Sequence, residues 1–461
     1  MKFKKIIEEV PDYTSFLTVD ELDKSTYEIL KKYPDIIKVK EIGRSREGHP
    51  INCIKIGAGS KNALLFGCPH PNEPIGAMML EYLISVLSEN EEFRESMDYT
   101  WYIIKCADPD GTKLNEKWFK GPFNVSNYIK NFYRPAGFNQ VEWSFPIDYK
   151  NLHFDKPLPE TQALMKVIEE IKPDFLYSLH NAGFGGVFWY ITHDLKEIYS
   201  DLIKIAKENN MPLHLGEPEI PACENFADAI YKMVGAEDIY DFYEQFSDIP
   251  PEILYNRGTD SSSYANSFKD CICLMNEMPY FYDPRIEDMS ESSMSRRDAI
   301  MIGLDYSYKH YKFLKEIVDE VDEYFSMDNP FILLVKENIA AAMSAEQAQK
   351  NWALQEEFGR KAKISEVFDN TLIRKFYNAL TIGLTVRAIQ MEIDRLKGDE
   401  SISHAQQIAE LEKQLSKASE YLDRTCNELE NELNYKVIPI QTLVRMQLYS
   451  GLIVMDYISR K

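Results

Sequence analysis

The chain has 461 residues, 44% of them hydrophobic, and a formal charge of −22. That length suits one large domain plus a second, and the apolar and aromatic content excludes bulk disorder. The acidic balance excludes nucleic acid and anionic membrane as partners, because phosphate surfaces need basic ones.

Lys2, Lys4 and Lys5 are followed by Ile6-Ile7-Glu8-Glu9, so no apolar stretch there is long enough for a signal peptide. No run of ~20 uncharged apolar residues follows either. The best, near Leu448 to Met455, is short and flanked by Arg445 and Asp456. Of the seven cysteines, Cys53, Cys68, Cys106, Cys271 and Cys273 fall in runs that read as strands. Buried, reduced thiols predict a reducing compartment, hence a cytoplasmic protein.

Ala63-Leu64-Leu65-Phe66-Gly67-Cys68 reads as a buried parallel strand. Pro69 and Pro71 stop it, which leaves His70 and Glu73 on a tight turn with their heads close together. An amphipathic stretch, Ile75 to Leu87, follows as a helix. Thr161 to Ile171 repeats the helical pattern, and Phe175-Leu176-Tyr177-Ser178-Leu179 is a second buried strand, ended by His180. Cys271-Ile272-Cys273-Leu274-Met275 is a third, with Glu277 at its end before Pro279. Such alternation over the first ~310 residues predicts an α/β fold: a mixed, mostly parallel sheet with helices on both faces. In open sheets of this kind ligands gather at the carboxyl ends of the strands. Two imidazoles and one carboxylate leaving those ends suit a zinc ion with an open fourth position.

Ser326-Met327-Asp328-Asn329-Pro330 breaks the alternation and divides the chain into 1–325, a catalytic domain, and 326–461, an all-α C-terminal region. Val386, Ile389, Ile393 and Leu396 keep helical spacing up to a turn at Lys397-Gly398-Asp399-Glu400-Ser401. Leu411, Leu415, Ala418, Leu422, Cys426, Leu429 and Leu433 resume it, which predicts an antiparallel helical hairpin. Pro439 opens a last helix from Ile440 to about Ile458. This tail reads as a helical addition that stabilises the catalytic part, or as the surface of a homodimer or of another partner.

From about Phe16 to Glu287 the chain resembles the zinc carboxypeptidases, the carboxypeptidase A-like (funnelin) metallopeptidases. The likeness opens with Leu30-Lys31-Lys32-Tyr33-Pro34 and Ile42-Gly43-Arg44-Ser45-Arg46-Glu47-Gly48-His49-Pro50-Ile51. It continues through His70-Pro71-Asn72-Glu73, Asp108-Pro109-Asp110-Gly111, Pro159-Glu160-Thr161-Gln162-Ala163, His180 and Asn276-Glu277. The resemblance implies one zinc per chain on His70, Glu73 and His180, with Glu277 as general base. It places Tyr255 on the mobile tyrosine that closes over substrate. Zinc in such a site polarises the scissile carbonyl and acidifies its water, and Glu277 passes the water's proton to the leaving nitrogen. Arg134 is the candidate for holding the developing oxyanion.

One stretch departs from the family. Gln140-Val141-Glu142-Trp143-Ser144-Phe145-Pro146 stands where an Asn-Arg pair grips the substrate's terminal carboxylate, with Glu142 and Trp143 at those two positions. An acid repels a carboxylate, and an indole cannot fork onto one as guanidinium does. Arg134 takes over carboxylate recognition, or the substrate presents an amide, an amine or a side-chain-linked acyl group. Gln140 sits where an aspartate often orients the first histidine. The Gly-rich loop Asn181 to Gly186 lets substrate backbone approach the metal, and Arg257-Gly258-Thr259-Asp260 resembles the loop that lines the specificity pocket. Arg134, Asn181, Arg257 and Asp260 are therefore the expected substrate-binding residues. The function that follows is zinc-dependent hydrolysis of an amide bond in a small peptide. The alternative is a zinc deacylase of N-acyl amino acids, a group that shares the ligands and the base but keeps the Asn-Arg pair.

Overall fold

A computed structural model describes residues 3–220, 223–344, 346–399 and 404–461. Its centre is a nine-stranded sheet of β1 (Ile37–Arg44), β2 (Pro50–Ile56), β3 (Lys61–Phe66), β4 (Tyr99–Ile104), β5 (Phe175–His180), β6 (Phe188–Ile191), β7 (Asn225–Ala227), β8 (Ile230–Lys232) and β9 (Ile272–Glu277). The spatial order is β1-β2-β4-β3-β5-β9-β6-β8-β7. The central strands β4, β3, β5 and β9 run parallel. Antiparallel pairs lie outside them, at β1–β2, β2–β4, β9–β6 and β8–β7.

The period of two along each strand divides its side chains between two cores. Leu64, Phe66 and Leu176 face α2 (Pro159–Ile171), where they meet Ala163, Leu164, Val167 and Ile168. Ala63, Leu65, Tyr177 and Leu179 face the opposite core, built by α1 (Ile75–Glu89), α3 (Lys196–Glu208) and a late helix. Strands buried on both faces explain the uninterrupted apolar runs of the sequence. At Gly76, near the start of α1, a Cβ would stand 2.5 Å from that of Leu179, so only glycine lets this helix sit against the end of β5.

After α4 (Arg296–Asp319), which ends the first part, the C-terminal region is mainly helical, with α5 (Arg374–Gly398), α6 (Ala405–Glu432) and α7 (Ile440–Ser459) as its long elements. Ile389, Ile393 and Leu396 of α5 pack with Leu411 and Ala418 of α6 and with Ile317 and Val321. These apolar faces are consumed within the chain. The turn expected at Lys397 to Ser401 lies partly outside the described residues. Two short strands also occur here, Lys361–Lys363 pairing with Glu291–Ser295 and Lys436–Val437 with Phe281–Tyr282.

The last helix is more than an appendage. α7 lies on the sheet, where Tyr177 donates its hydroxyl to the Gln447 carbonyl at 2.8 Å and the Trp189 indole donates to Ser450 at 3.0 Å. Leu443, Val444, Met446, Leu448, Leu452, Val454 and Met455 are all buried. A helix apolar on nearly every side belongs in a core.

Candidate active site

β3 ends at Phe66, and the chain then turns sharply. Cys68 takes a left-handed backbone (φ 49°), a conformation that costs a non-glycine residue about 1 kcal/mol or more. Pro69 and Pro71 flank His70, and the Glu73 amide donates to the His70 carbonyl at 3.1 Å, closing the turn. Both side chains are thereby aimed at the end of β5. In the β5–β9 register Glu277 lies directly opposite His180, so the third and fourth groups arrive as neighbours.

His70 Nδ1 lies 3.2 and 3.3 Å from the two Glu73 oxygens. His180 Nδ1 lies 3.1 Å from His70 Nδ1 and 3.1 Å from Glu73 Oε2. A tetrahedral ion with ~2.0–2.1 Å bonds sets its ligands roughly 3.3–3.4 Å apart. Three buried donor atoms at nearly that mutual spacing, two imidazole nitrogens and one carboxylate, fit zinc. Burial and then the Arg134 guanidinium hold His70 down to about 3, so its ring is neutral, the form that ligates. Burial opposes ionisation of Glu73, but His70, Arg134 and His180 outweigh it and keep its pKa low. Glu277 Oε1 lies 3.8 Å from His180 Nδ1. Burial, then the Glu73 and Glu219 charges, drive its pKa well above the usual carboxylate value.

Behind His180 stands a second layer. Ser178, two residues earlier on β5, places its hydroxyl 2.7 Å from His180 Nε2. Burial raises the pKa of the nearby Glu142 carboxyl to about 7, with His180 and, less, the Ser261 and Ser178 hydroxyls opposing the rise. Glu142 also accepts from Ser261 at 2.6 Å. It points into the protein behind the ligand strand rather than at a substrate, whereas Trp143 beside it lines the cleft. Gln140 donates to the Pro135 carbonyl at 2.9 Å.

These groups open into a cleft of about 520 Å³. The remaining expected residues are placed as follows. Arg134 lines the cleft and donates to Glu73 Oε1 at 2.7 Å. Asn181 also lines it, but its side chain is committed to the backbone, accepting from Ile75 N at 3.1 Å and donating to the His180 carbonyl at 2.5 Å. Arg257 lines it and pairs with Glu337 at 3.7 Å. Asp260 is not brought there. It caps the short helix Ser261–Asn266, accepting from the Ser262 and Ser263 amides. Tyr255 is not brought there either. It is buried with Leu152, Ala236 and Tyr240, its hydroxyl donating to the Gly258 carbonyl at 2.8 Å. Sequence order alone selected both, and order does not fix where a loop side chain points.

Sequence reasoning missed the far wall. Glu219, which accepts from the Tyr190 hydroxyl at 3.3 Å, lines the cleft, as do Arg374, Tyr377 and Asn378 of α5. The signal for the last three was their i, i+3, i+4 spacing, which puts three polar residues on one helix face. The motif segments near residues 46, 108 and 160 meet elsewhere. Arg46 Nε donates to Glu160 at 3.1 Å and Nη2 lies 3.8 Å from Asp108, so a surface arginine joins two buried carboxylates away from the cleft.

A sequence profile of the family described as zinc carboxypeptidase matches residues 22–253, half of the chain, and spans all three candidate ligands. The chain belongs to the zinc carboxypeptidase family. Carboxypeptidase B of Astacus astacus is 25% identical over 105 residues, which cover 22% of this chain and 35% of that protein. The chain thus spans about a third of the curated relative it matches. Among solved structures, a carboxypeptidase A from Helicoverpa armigera aligns at 16% identity with a TM-score of 0.37, covering 57% of this chain and 65% of that one. A metallo-carboxypeptidase from Burkholderia cenocepacia aligns at 15% with a TM-score of 0.34, over 59% and 61%. The family profile ends before Glu277 and before the whole C-terminal helical region, so zinc carboxypeptidase membership is carried by the part of the chain that holds His70, Glu73, His180 and Arg134.

Proposed function

We propose that this cleft hydrolyses an amide bond of a small peptide, with one zinc ion on His70, Glu73 and His180 and with Glu277 as the general base. The observation that carries this reading is the convergence of three buried donor atoms, mutually 3.1–3.3 Å apart, beside a fourth group, the Glu277 carboxylate, 3.8 Å from His180 Nδ1. Zinc bound there supplies Lewis-acid polarisation and acidifies water.

The rest falls to the protein. Glu277 Oε1 takes a proton from the attacking water as its oxygen bonds to the carbonyl carbon. The same carboxyl returns that proton to the nitrogen as the C–N bond breaks, so one water is consumed and Glu277 is restored. Burial and neighbouring carboxylates make Glu277 a stronger base than an exposed glutamate, as proton uptake requires. Arg134 lines the cleft beside Glu73, so its guanidinium is the donor offered to the developing oxyanion.

Seven unpaired cysteines support placing the protein in a reducing compartment; Cys271 and Cys273 lie with their sulfurs 3.7 Å apart and unbonded. Among the described residues no helix is long and apolar enough to cross a membrane. The division at residue 325 is best taken as one of sequence, since α7 shares the core of the sheet. The test of the function is a screen of purified protein with added zinc against dipeptides, γ-glutamyl peptides and N-acyl amino acids. Turnover of the peptides, abolished in Glu277→Gln, is the expected result, and cleavage of N-acyl amino acids alone would replace this reading with a deacylase.

A further inference from the structure

Three guanidinium groups line the cleft, and two of them are spoken for. Arg134 is held by Glu73 at 2.7 Å. Arg257 is held by Glu337 and lies over the Tyr255 ring, 5.1 Å from its centre. Arg374 differs from both. Among the described residues it has no ion pair, its Nε has no acceptor, and Nη2 reaches only the Asn370 side-chain oxygen, at 3.4 Å. A cation that is largely enclosed and left without a carboxylate is a costly arrangement unless something else completes it.

Its acidic neighbours do not complete it. Glu217 is engaged in a fork with Arg296, at 3.0 and 2.5 Å, and takes the Asn370 amide at 3.1 Å. Asp369 accepts the Glu217 amide at 2.7 Å and lies 3.2 Å from His214 Nε2. The backbone is arranged for Arg374. Asp369–Ile373 forms a π-turn directly before α5, and such turns are frequent at functional sites. Gly303 of α4 makes room for the side chain, since a Cβ there would stand 2.6 Å from Arg374 Nε. Tyr377 and Asn378 share the cleft-lining face of α5 with it.

We infer that Arg374, supplied by the C-terminal helical region, receives a carboxylate of the substrate in this cleft and so replaces the Asn-Arg pair that Glu142 and Trp143 displace. The inference rests on the peptidase reading and deepens it: the substrate is a short peptide with an anionic group distal to the scissile amide. Guanidinium presents two parallel N–H groups to a carboxylate, a geometry that Trp143 cannot offer. Burial already works against the Arg374 charge, so a carboxylate that joins it is favoured more than it would be at an exposed arginine. Two sources share this chemistry, the free α-carboxylate and an acidic side chain of the last residue.

Zinc-loaded wild-type protein, Arg374→Met and Arg374→Lys are assayed on matched blocked dipeptides. One pair differs as free acid against C-terminal amide, the other as Glu against Gln in the last position. Wild type should favour the anionic member of one pair by about tenfold or more in kcat/KM, and which pair it is identifies the source. Arg374→Met should lose that preference through KM, and Arg374→Lys, which keeps the charge without the fork, should retain part of it. A preference that survives in Arg374→Met, or wild type indifferent to both pairs, overturns the inference. If Arg374→Met fails to fold by thermal melting, Arg374→Lys decides, and an undiminished preference there overturns it. Wild type that hydrolyses none of the four sinks the peptidase reading instead. Calorimetric binding of the free-acid and Glu dipeptides then still decides the inference, which falls if wild type and Arg374→Met bind them equally.

Discussion

The hydroxyl of Ser178 sits 2.7 Å from Nε2 of His180, on the side of the ring away from His70. With Nδ1 turned to His70 and Glu73, Nε2 carries the ring's proton and donates it to Ser178, which stands near the buried Glu142 carboxyl. Partners of this kind fix the tautomer and orientation of a ligating histidine, and losing one typically costs 10–100-fold in metal affinity. Glu142→Gln and Ser178→Ala should each weaken zinc binding by about that factor, measured by competition with a chromophoric chelator. Unchanged affinity in both would mean that the second layer does not orient His180.

His70→Ala should remove most of the zinc and the activity, because two ligands rarely hold the ion against buffer. Metal analysis of the purified variant reads this directly, and stoichiometric zinc would overturn the ligand assignment. Chelation of the wild type should likewise lower its melting temperature, since an ion bound only by the native state stabilises it by mass action.

Glu277→Gln should bind zinc and substrate as before while turnover falls by about 10²–10⁴ or more, since the amide keeps the shape but cannot accept a proton. Stopped assays with zinc-loaded variant check it. Retention of a tenth of wild-type turnover would point to another base.

His214 and Asp369 offer a pH-dependent test of the cleft's far wall. Burial alone lowers the His214 pKa, but the Asp369 carboxylate reverses this and raises it above the ordinary value. A raised folded-state pKa gives stabilisation that is full below the unfolded value of about 6.5 and is lost as pH climbs through the folded one. A double-mutant cycle on His214→Ala and Asp369→Ala, by urea denaturation, should therefore give a larger coupling at pH 6 than at pH 9. Equal couplings would show that the charge on His214 contributes nothing.

The convergence of His70, Glu73 and His180 is legible because they end apolar runs: a strand buried on both faces tolerates His180 or Glu277 only where it emerges. Registration of β5 against β9, which sets His180 opposite Glu277, was not legible, since pairing partners lie almost a hundred residues apart. Glu142 could be aligned but not aimed: the resemblance alone sets it at the asparagine position, and its burial behind β5 depends on packing and on Ser261. Tyr255 and Asp260 were chosen by order, and local packing and helix capping claimed them instead. Arg374 lay in a region read for apolar spacing alone, which says nothing of what a polar face looks onto. For α7 the signal was present and underused, because apolar residues on nearly all sides of Ile440 to Ile458 already implied a fully covered helix.

Gln447 of that helix donates its side-chain amide to the backbone carbonyl of His180 at 2.9 Å, across 267 residues of chain. A ribosome that has released the ligand strand must therefore add those residues before one face of the strand is sealed. Until then Tyr177 and Trp189 lack their α7 partners, a sticky surface in a half-made protein. Order of synthesis thus runs opposite to order of dependence: the candidate ligands His70, Glu73 and His180 come off early, and the last helix on the sheet behind them comes off late. A premature stop before Pro439 would leave every residue of the chemistry translated and the sheet beneath it backed by α1 and α3 but missing α7.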